Sequence, residues 1–259
     1  DARRRSSAPW NRVSRALCDR HQGIGADGLL VLEPSAKANV RMRVFNPDGS
    51  EASMCGNGAR CVALYLKRRH VTIETKAGVL SGTVQQDRVA MRLTDPTHIR
   101  TVSLRVNGHA VDAISLNTGV PHAVVPVSRL DRVAVNELGR TLRFHRAFAP
   151  QGTNVDFIQP STSAKRLRLR TYERGVEAET LACGTGVAAS AVAYVLGNGV
   201  GHHQQRHRVI VQTRSGERMG VSFTVVPARR GLAVTDLVLE GRARRICEGI
   251  VNWLPRRAV

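Results

Sequence analysis

Apolar and polar residues alternate in short runs along most of the chain, which is the pattern that half-buried β-strands produce. The runs that predict strands are 29–32, 40–45, 71–75, 79–84, 88–93, 209–213, 219–226 and 233–241, with further runs between 103 and 175. Turn residues separate many of them, and Lys76-Ala77-Gly78 is typical of a hairpin turn. This spacing of short strands and turns predicts antiparallel, barrel-like sheets.

Three segments place apolar residues at helical spacing. Residues 10–20 predict a short amphipathic helix, whereas 58–69 and 186–196 predict the only two substantial helices in the body of the chain. The segment 186–196 has no polar side chains except one serine and one tyrosine, so we expect it to be buried on every side. A nearly apolar helix among many strands indicates a helix that a sheet wraps around.

The composition is that of a globular protein. With 259 residues, 42% of them hydrophobic and 23% charged, the chain has material for one large domain or two small ones. These values exclude a disordered, collagen-like or disulfide-scaffold protein. No apolar run reaches the length of a membrane span and no charged-then-apolar leader opens the sequence, so we expect no membrane association.

The charge is strongly positive, at +19, and 35 of the 39 basic residues are arginine. A basic excess is typical of nucleic-acid-binding proteins. The arginines are scattered, however, and aromatic residues make up only 4% of the chain, too few for base-stacking surfaces. We therefore expect no nucleic-acid partner and interpret the arginines as a solvated surface, whose positive potential would favour an anionic substrate.

The five cysteines include no C-x-x-C pair, which argues against a zinc site or a disulfide framework and favours a reducing, cytoplasmic setting. Two of them open the same motif, Cys55-Gly56-Asn57-Gly58 and Cys183-Gly184-Thr185-Gly186, and each motif leads into a substantial predicted helix. The repeat indicates an internal duplication with one such cysteine in each half. Cys18, Cys61 and Cys247 lack this context, and we interpret them as structural.

A cysteine at the entrance of a helix faces unpaired backbone N–H groups and the positive end of the helix dipole. We expect the pKa of a thiol there to lie below its free value of about 8.5. Glycines beside it would let the N–H groups approach and hold a substrate carboxylate. Each motif thus predicts a base beside an anion-binding turn, although a buried structural cysteine is the alternative for either one.

Two such thiols would act on opposite faces of one carbon. One removes a proton and the other delivers one, which inverts a stereocentre or shifts a proton without a metal or cofactor. Polar flanks indicate a small polar substrate: the turn 46–51 precedes the first motif, and Glu173 and Arg174 precede the second. Arg174 would hold a carboxylate through two hydrogen bonds, unless the two residues form only an exposed pair.

Five segments together resemble the diaminopimelate epimerase family. They are 18–30, 45–61, 117–125, 152–157 and 172–186, which occur in the family's order over almost the whole chain and include both cysteine motifs. The resemblance implies an enzyme that interconverts LL- and meso-2,6-diaminopimelate in lysine and peptidoglycan-precursor synthesis. It also implies a cytoplasmic homodimer that uses no cofactor and no metal.

The fold that the resemblance implies is α+β, with two pseudo-symmetric halves. Each half would be an antiparallel β-barrel around a central helix, and the active site would lie in the cleft between them. We assign the halves to residues 1–96 and 97–243, with a C-terminal strand at about 244–259 returning to the first half.

The resemblance also implies the roles of individual residues. Cys55 and Cys183 would be the acid/base thiols, and His122 and Glu173 would tune them. The substrate would contact the side chains of Asn46, Asn154, Glu173 and Arg174 and the backbone of Gly56, Asn57, Gly184 and Thr185.

Three departures from the family pattern bear on the substrate. Family members open with a strand and a G-N-D-F segment, which would precede Asp1 here. Val120 stands where an asparagine that binds substrate is common, and Gly28 stands where some members carry a polar side chain. The alternatives are therefore an amino-acid racemase or isomerase of the same fold with another substrate, and an inactive or nucleic-acid-binding relative.

Overall fold

The computed structural model describes residues 8–161, 165–200, 203–229 and 231–251. Its helices are α1 (Trp10–Cys18), α2 (Gly56–Tyr65), α3 (Val135–Arg143) and α4 (Gly184–Gly197). Its strands are β1 (Leu29–Glu33), β2 (Val40–Phe45), β3 (Glu51–Ala52), β4 (His70–Thr75), β5 (Gly78–Gln85), β6 (Arg88–Arg92), β7 (Thr97–Val106), β8 (His109–Asn117), β9 (Pro121–Pro126), β10 (Asn154–Pro160), β11 (Arg166–Glu173), β12 (Ala178–Thr180), β13 (Gln205–Gln212), β14 (Arg218–Ala228) and β15 (Gly231–Arg242). The predicted mixed α+β class is confirmed.

Two compact units divide the chain. One holds the described residues up to Val89 and from Arg242 onward, and the other holds those of 90–241. In the first unit the strands pair in the order β1-β2-β4-β5-β6, and β3 pairs with β2. The boundary between the two units falls inside β6, after Val89. Thr75 pairs with Gly78 across the turn between β4 and β5, which confirms the predicted hairpin.

The second unit has the strand order β15-β14-β13-β11-β10-β9-β8-β7, with β12 paired to β11. Most neighbours in both units are antiparallel, as predicted. Among the strand pairs whose register is described, three are parallel instead: β2 with β4, β9 with β10, and β11 with β13. Parallel neighbours require a crossover connection, and α2, α3 and α4 each lie in one of these three crossovers. The sheets are therefore mainly antiparallel, as predicted, with parallel pairs at the three crossovers.

The core of the second unit forms around α4. Residues 184–193 and Val195 of this helix are buried, which confirms the prediction of a helix enclosed on every side. Its apolar side chains pack with Leu169, Val211 and Phe223 from three strands. No helix in the described part of the chain is both long and apolar enough to cross a membrane.

The helices differ from their predicted ranges at the ends. α2 and α4 each begin directly after a cysteine, two residues before the predicted start, because Cys55 and Cys183 are the N-caps. α2 ends at Tyr65 rather than residue 69, since Lys67 adopts a left-handed conformation (φ 52°). α3 was not predicted; its Gly139 packs so closely that a Cβ there would lie 2.5 Å from the Cβ of Tyr172.

The predicted C-terminal strand at about 244–259 is not formed where the structure describes it. Residues 244–251 have no regular secondary structure, and residues 252–259 lie outside the described part, as do residues 1–7 of the predicted first half. The Ala243 N–H donates to the Asp87 carbonyl (2.9 Å), so the chain does return to the first unit. Beyond this bond, Ile246 and Ile250 are exposed rather than paired in a sheet.

An ion-pair network fixes β3, the short strand that leads into the first cysteine motif. Arg43 donates to both carboxylate oxygens of Glu51 (2.8 and 3.1 Å), Lys76 lies 2.8 Å from the same carboxylate, and Arg43 also contacts Glu33 (3.2 Å). The hydrogen bonds from Arg43 are the main reason that the pKa of Glu51 falls from 4.5 to about 2. Ionised Glu51 therefore stabilises the folded state.

Replacing Glu51 with glutamine should lower the free energy of unfolding by about 1 kcal/mol at pH 7. Because the folded-state pKa is depressed, the stabilisation is complete above about pH 4.5 and is lost as the pH falls towards about 2. Urea titrations of the wild type and Glu51→Gln at several pH values should therefore converge at acid pH. Glu248→Gln, in an exposed pair with Arg245, is the control, and a constant gap for Glu51→Gln across pH would contradict the prediction.

Candidate functional site

Cys55 caps α2 in the first unit. Its backbone is extended (φ −141°), and its Sγ accepts a hydrogen bond from the Gly58 N–H at 3.3 Å. A Cβ built on Gly56 would meet no atom within 4 Å, so open space adjoins the first residue of the helix. The thiol is only partly buried, and a small anion therefore has room beside it.

The other predicted residues of this unit lie before and within α2. Asn46 is exposed at the end of β2, and its Nδ2 donates to Ser50 Oγ (2.9 Å). Asn57 Oδ1 accepts from Arg60 Nη2 (3.0 Å). Arg60 is 4% exposed, and its Nε and Nη1 have no hydrogen-bond partner in the described chain. A buried guanidinium on the first turns of α2 adds to the positive potential there.

Cys183 has the equivalent place in the second unit. In both units a short strand pairs with the preceding long strand, the cysteine follows, and a crossover helix leads to a strand parallel to that long one. Cys183 is 8% exposed, and its Sγ lies 3.4 Å from Thr185 Oγ1. Thr118 Oγ1 donates to the Thr185 carbonyl (3.1 Å), so the loop before β9 supports this helix start.

The protonation of Cys183 differs from the expectation. Burial raises the pKa of the thiol well above its ordinary value, and the charges of Glu173 and Asp156 raise it further. Hydrogen bonds with Thr185 and the Gly186 N–H lower the pKa, but by less. The expected thiolate-stabilising effect of the helix start is therefore present and is outweighed by desolvation. At neutral pH this thiol holds its proton.

A buried polar network lies among the strands that pack against α4, and the sequence analysis assigned no role to its central residue, Asp156. Asp156 Oδ2 lies 2.6 Å from His122 Nδ1, and both side chains are 0% exposed. Thr171 Oγ1 donates to Asp156 Oδ1 (2.7 Å) from the facing position on β11. A Cβ on Gly186 would lie 2.5 Å from the same Oδ1, so the carboxylate touches the first turn of α4.

Asn154 ties together the ends of two strands at this site. Its Nδ2 donates to the Pro121 carbonyl (2.9 Å), and its Oδ1 accepts from the Arg174 N–H (2.8 Å). Glu173 lies at the end of β11 and is largely buried, and this burial raises the pKa of its carboxyl. Asp156 raises the same pKa further, while a hydrogen bond with Thr180 and the nearby His122 each lower it by less than burial raises it. The second unit therefore groups His122, Asn154, Glu173 and Arg174 around the start of β9 and the end of β11.

Three contributors were missed by sequence reasoning. Asp156 is a lone charge within the buried strand segment Asn154–Ile158, and that interruption is the signal that could have identified it. Thr118 and Arg60 act through single hydrogen bonds to Thr185 and Asn57, for which the sequence carries no signal.

Chemically, the second unit presents a neutral thiol beside two carboxyl groups, Asp156 and Glu173, and an arrangement of this kind can give a proton to a carbanion. Among the described residues, no group of three or more His, Cys, Asp or Glu side chains is placed to hold a metal ion.

Solved structures of the same fold include a phenazine biosynthesis protein of the PhzF family from Bacillus anthracis. It matches with a TM-score of 0.66 at 20% identity, covering 93% of this chain and 88% of that one. A probable proline racemase from Agrobacterium radiobacter K84 matches with a TM-score of 0.69 at 17% identity, covering 95% and 82%. At these identities the likeness concerns the fold.

The sequence comparisons are more specific. The profile of diaminopimelate epimerase matches residues 3–99 and 114–224. The diaminopimelate epimerase of Aquifex aeolicus is 43% identical over 244 residues, covering 91% of this chain and 83% of that protein. That of Methanothrix thermoacetophila is 40% identical, covering 93% and 86%. The chain therefore belongs to the diaminopimelate epimerase family, as its sequence motifs predicted.

Proposed function

We propose that the chain interconverts LL- and meso-2,6-diaminopimelate by an acid/base mechanism that uses two cysteines and no cofactor. Family membership makes it an amino-acid isomerase of lysine biosynthesis. The observation that carries the mechanism is the recurrence of one device: Cys55 and Cys183 each cap a crossover helix that follows the same order of strands. A single inversion needs one proton acceptor and one proton donor, and each unit supplies one thiol.

We assign the direction of the proton transfers from the burial of Cys183. In the proposed step Cys55 acts as the base and takes the α-proton, leaving the electron pair on the carbon, and the buried Cys183 thiol delivers its proton to the opposite face. Cys183 suits the donor role because burial keeps its pKa high. After the transfer Cys55 is a thiol and Cys183 a thiolate, so the reverse reaction uses the same two groups with their roles exchanged.

The carboxylate at the reacting carbon would bind to the backbone N–H groups that open each helix, at Gly56 and Asn57 and at Gly184 and Thr185. We assign the further substrate contacts to Asn46, Asn154, Glu173 and Arg174, and the tuning of the thiols to His122 and Glu173. In support, Gly56 adjoins open space, and Asn154 fixes the backbone of Arg174.

We further propose that each unit is a β-barrel around its crossover helix, α2 or α4, and that the two units are pseudo-symmetric halves. The shared order of strand, short strand, cysteine, helix and parallel strand supports this proposal. A reducing, cytoplasmic setting belongs to the same proposal, because both thiols must stay reduced to carry protons. We also propose a homodimer, on the family resemblance alone.

Proton NMR of LL-diaminopimelate incubated with the protein in D₂O tests the function directly. We expect loss of the α-proton signal and growth of the meso isomer, because thiols in D₂O carry deuterium and deliver a deuteron to the inverted carbon. Proline and other free amino acids serve as comparison substrates. Exchange of one of these without exchange of diaminopimelate would contradict the proposal and favour a racemase of the same fold.

A further inference from the structure

Asp156 has no part in the proton transfers described above, yet it is the most fully enclosed charged side chain beside the start of α4. Its side chain is 0% exposed; Oδ1 accepts a hydrogen bond from Thr171 Oγ1 at 2.7 Å, and Oδ2 lies 2.6 Å from His122 Nδ1. Both oxygens of an ionised carboxylate are acceptors, so this arrangement suits a carboxylate that accepts at each oxygen.

The bond to Asp156 determines the hydrogen position on His122. Because a carboxylate can only accept, this pair places the hydrogen on Nδ1, and in that tautomer Nε2 is a bare acceptor. Nε2 is buried and has no hydrogen-bond partner in the described chain. A polar atom in that condition is costly to the fold, and on an imidazole held by a carboxylate it has the chemistry of a proton acceptor.

Packing alone does not account for the pair. A buried carboxylate contributes little net stability compared with an apolar side chain of the same volume, because its charge must be removed from water. Asp156 is also placed where it acts on the site: it contacts the Gly186 turn just after Cys183, and its charge raises the pKa of Glu173.

We infer that Asp156 is a positioning residue that acts through His122: it fixes the imidazole with hydrogen on Nδ1 and leaves Nε2 as a proton acceptor in the unit that holds Cys183. The catalytic part of this inference rests on the proposed function. The position of the hydrogen does not, since it belongs to the free protein.

The hydrogen position is measurable by ¹⁵N–¹H correlation spectra of the histidine rings in the protein without substrate, with His122 assigned by loss of its signals in His122→Gln. We expect the wild type to carry hydrogen on Nδ1, and a ring protonated only at Nε2 would overturn the inference. In Asp156→Asn the new amide can donate to Nδ1 and move the hydrogen to Nε2. We expect kcat to fall about tenfold in this variant, with a smaller change in KM.

A double-mutant cycle separates positioning from structural support. If Asp156 acts through His122, adding Asp156→Asn to His122→Gln should reduce kcat little further, whereas independent, additive losses would overturn the inference. Ser190→Ala is the control: it removes a buried hydroxyl of α4 that has no hydrogen-bond partner in the described chain, and it should keep wild-type kcat. If the proposed function is wrong, the wild-type protein will be inactive on diaminopimelate. The ring spectra are measured without substrate and test the hydrogen position independently of that result.

Discussion

Replacing Cys183 with serine should reduce the conversion of LL- to meso-diaminopimelate by roughly 10²- to 10⁴-fold, the usual range for loss of a general acid or base. Serine is close in shape to cysteine and is itself a preferred N-cap residue. Its hydroxyl, however, is a much weaker acid than a thiol and does not replace it as a proton carrier to and from carbon. Cys55→Ser should cause a loss of the same order, because each face of the carbon has one proton carrier in the proposed mechanism. The measurement is the rate of meso formation in D₂O.

Cys247→Ser is the matched control, since Cys247 is exposed and lies outside both helix starts. It should retain the wild-type rate. Turnover near the wild-type value in either Cys55→Ser or Cys183→Ser would contradict a mechanism with two essential thiols.

Replacing Gly186 with alanine should lower activity about 10- to 100-fold and the free energy of unfolding by about 1–3 kcal/mol. The added Cβ would lie 2.5 Å from Asp156 Oδ1, and that carboxylate is held in place by His122 and Thr171. The start of α4 must therefore move, and Cys183 with it. The gain of up to about 1 kcal/mol in helix propensity for alanine over glycine does not offset this clash.

Two other glycines provide a graded comparison. A Cβ at Gly58, the equivalent position in α2, would meet the flexible end of Leu30 at 2.8 Å, so Gly58→Ala should cost less than Gly186→Ala. At Gly197, the end of α4, the nearest atom is Ile114 Cδ1 at 3.3 Å, and Gly197→Ala should leave activity unchanged. Kinetics and thermal unfolding of all three variants test the order, and equal losses for Gly186→Ala and Gly197→Ala would contradict it.

The features that the sequence predicted depend mostly on local interactions. A cysteine followed by glycines specifies a helix start, because capping involves residues within one turn, and both Cys55 and Cys183 are N-caps. The apolar composition of 186–196 likewise predicted burial of α4 on every side. The strand alternation and the hairpin at Lys76-Ala77 are also local properties.

The remaining features depend on contacts between distant segments. α3 escaped prediction because its N-cap, Ala134, has no capping side chain and Gly139 interrupts the helical pattern in order to pack on Tyr172. The parallel pairs form because the chain after each crossover helix packs beside the strand before it, and this contact between distant segments leaves no local sequence pattern. The pKa of Cys183 is raised because of burial and of charges from β10 and β11, so the helix start alone predicted the wrong direction.

The position of each thiol at the beginning of a crossover has a consequence for the order of folding. α4 can fix Cys183 in place only after β13 has returned beside β11, where Arg166 pairs with Ile210. Parallel pairings between residues far apart in sequence close large loops and form slowly, whereas hairpins such as β4–β5 close early. We therefore expect the geometry around Cys183 to be among the last features that the folding chain acquires, so that hairpins form before the site does.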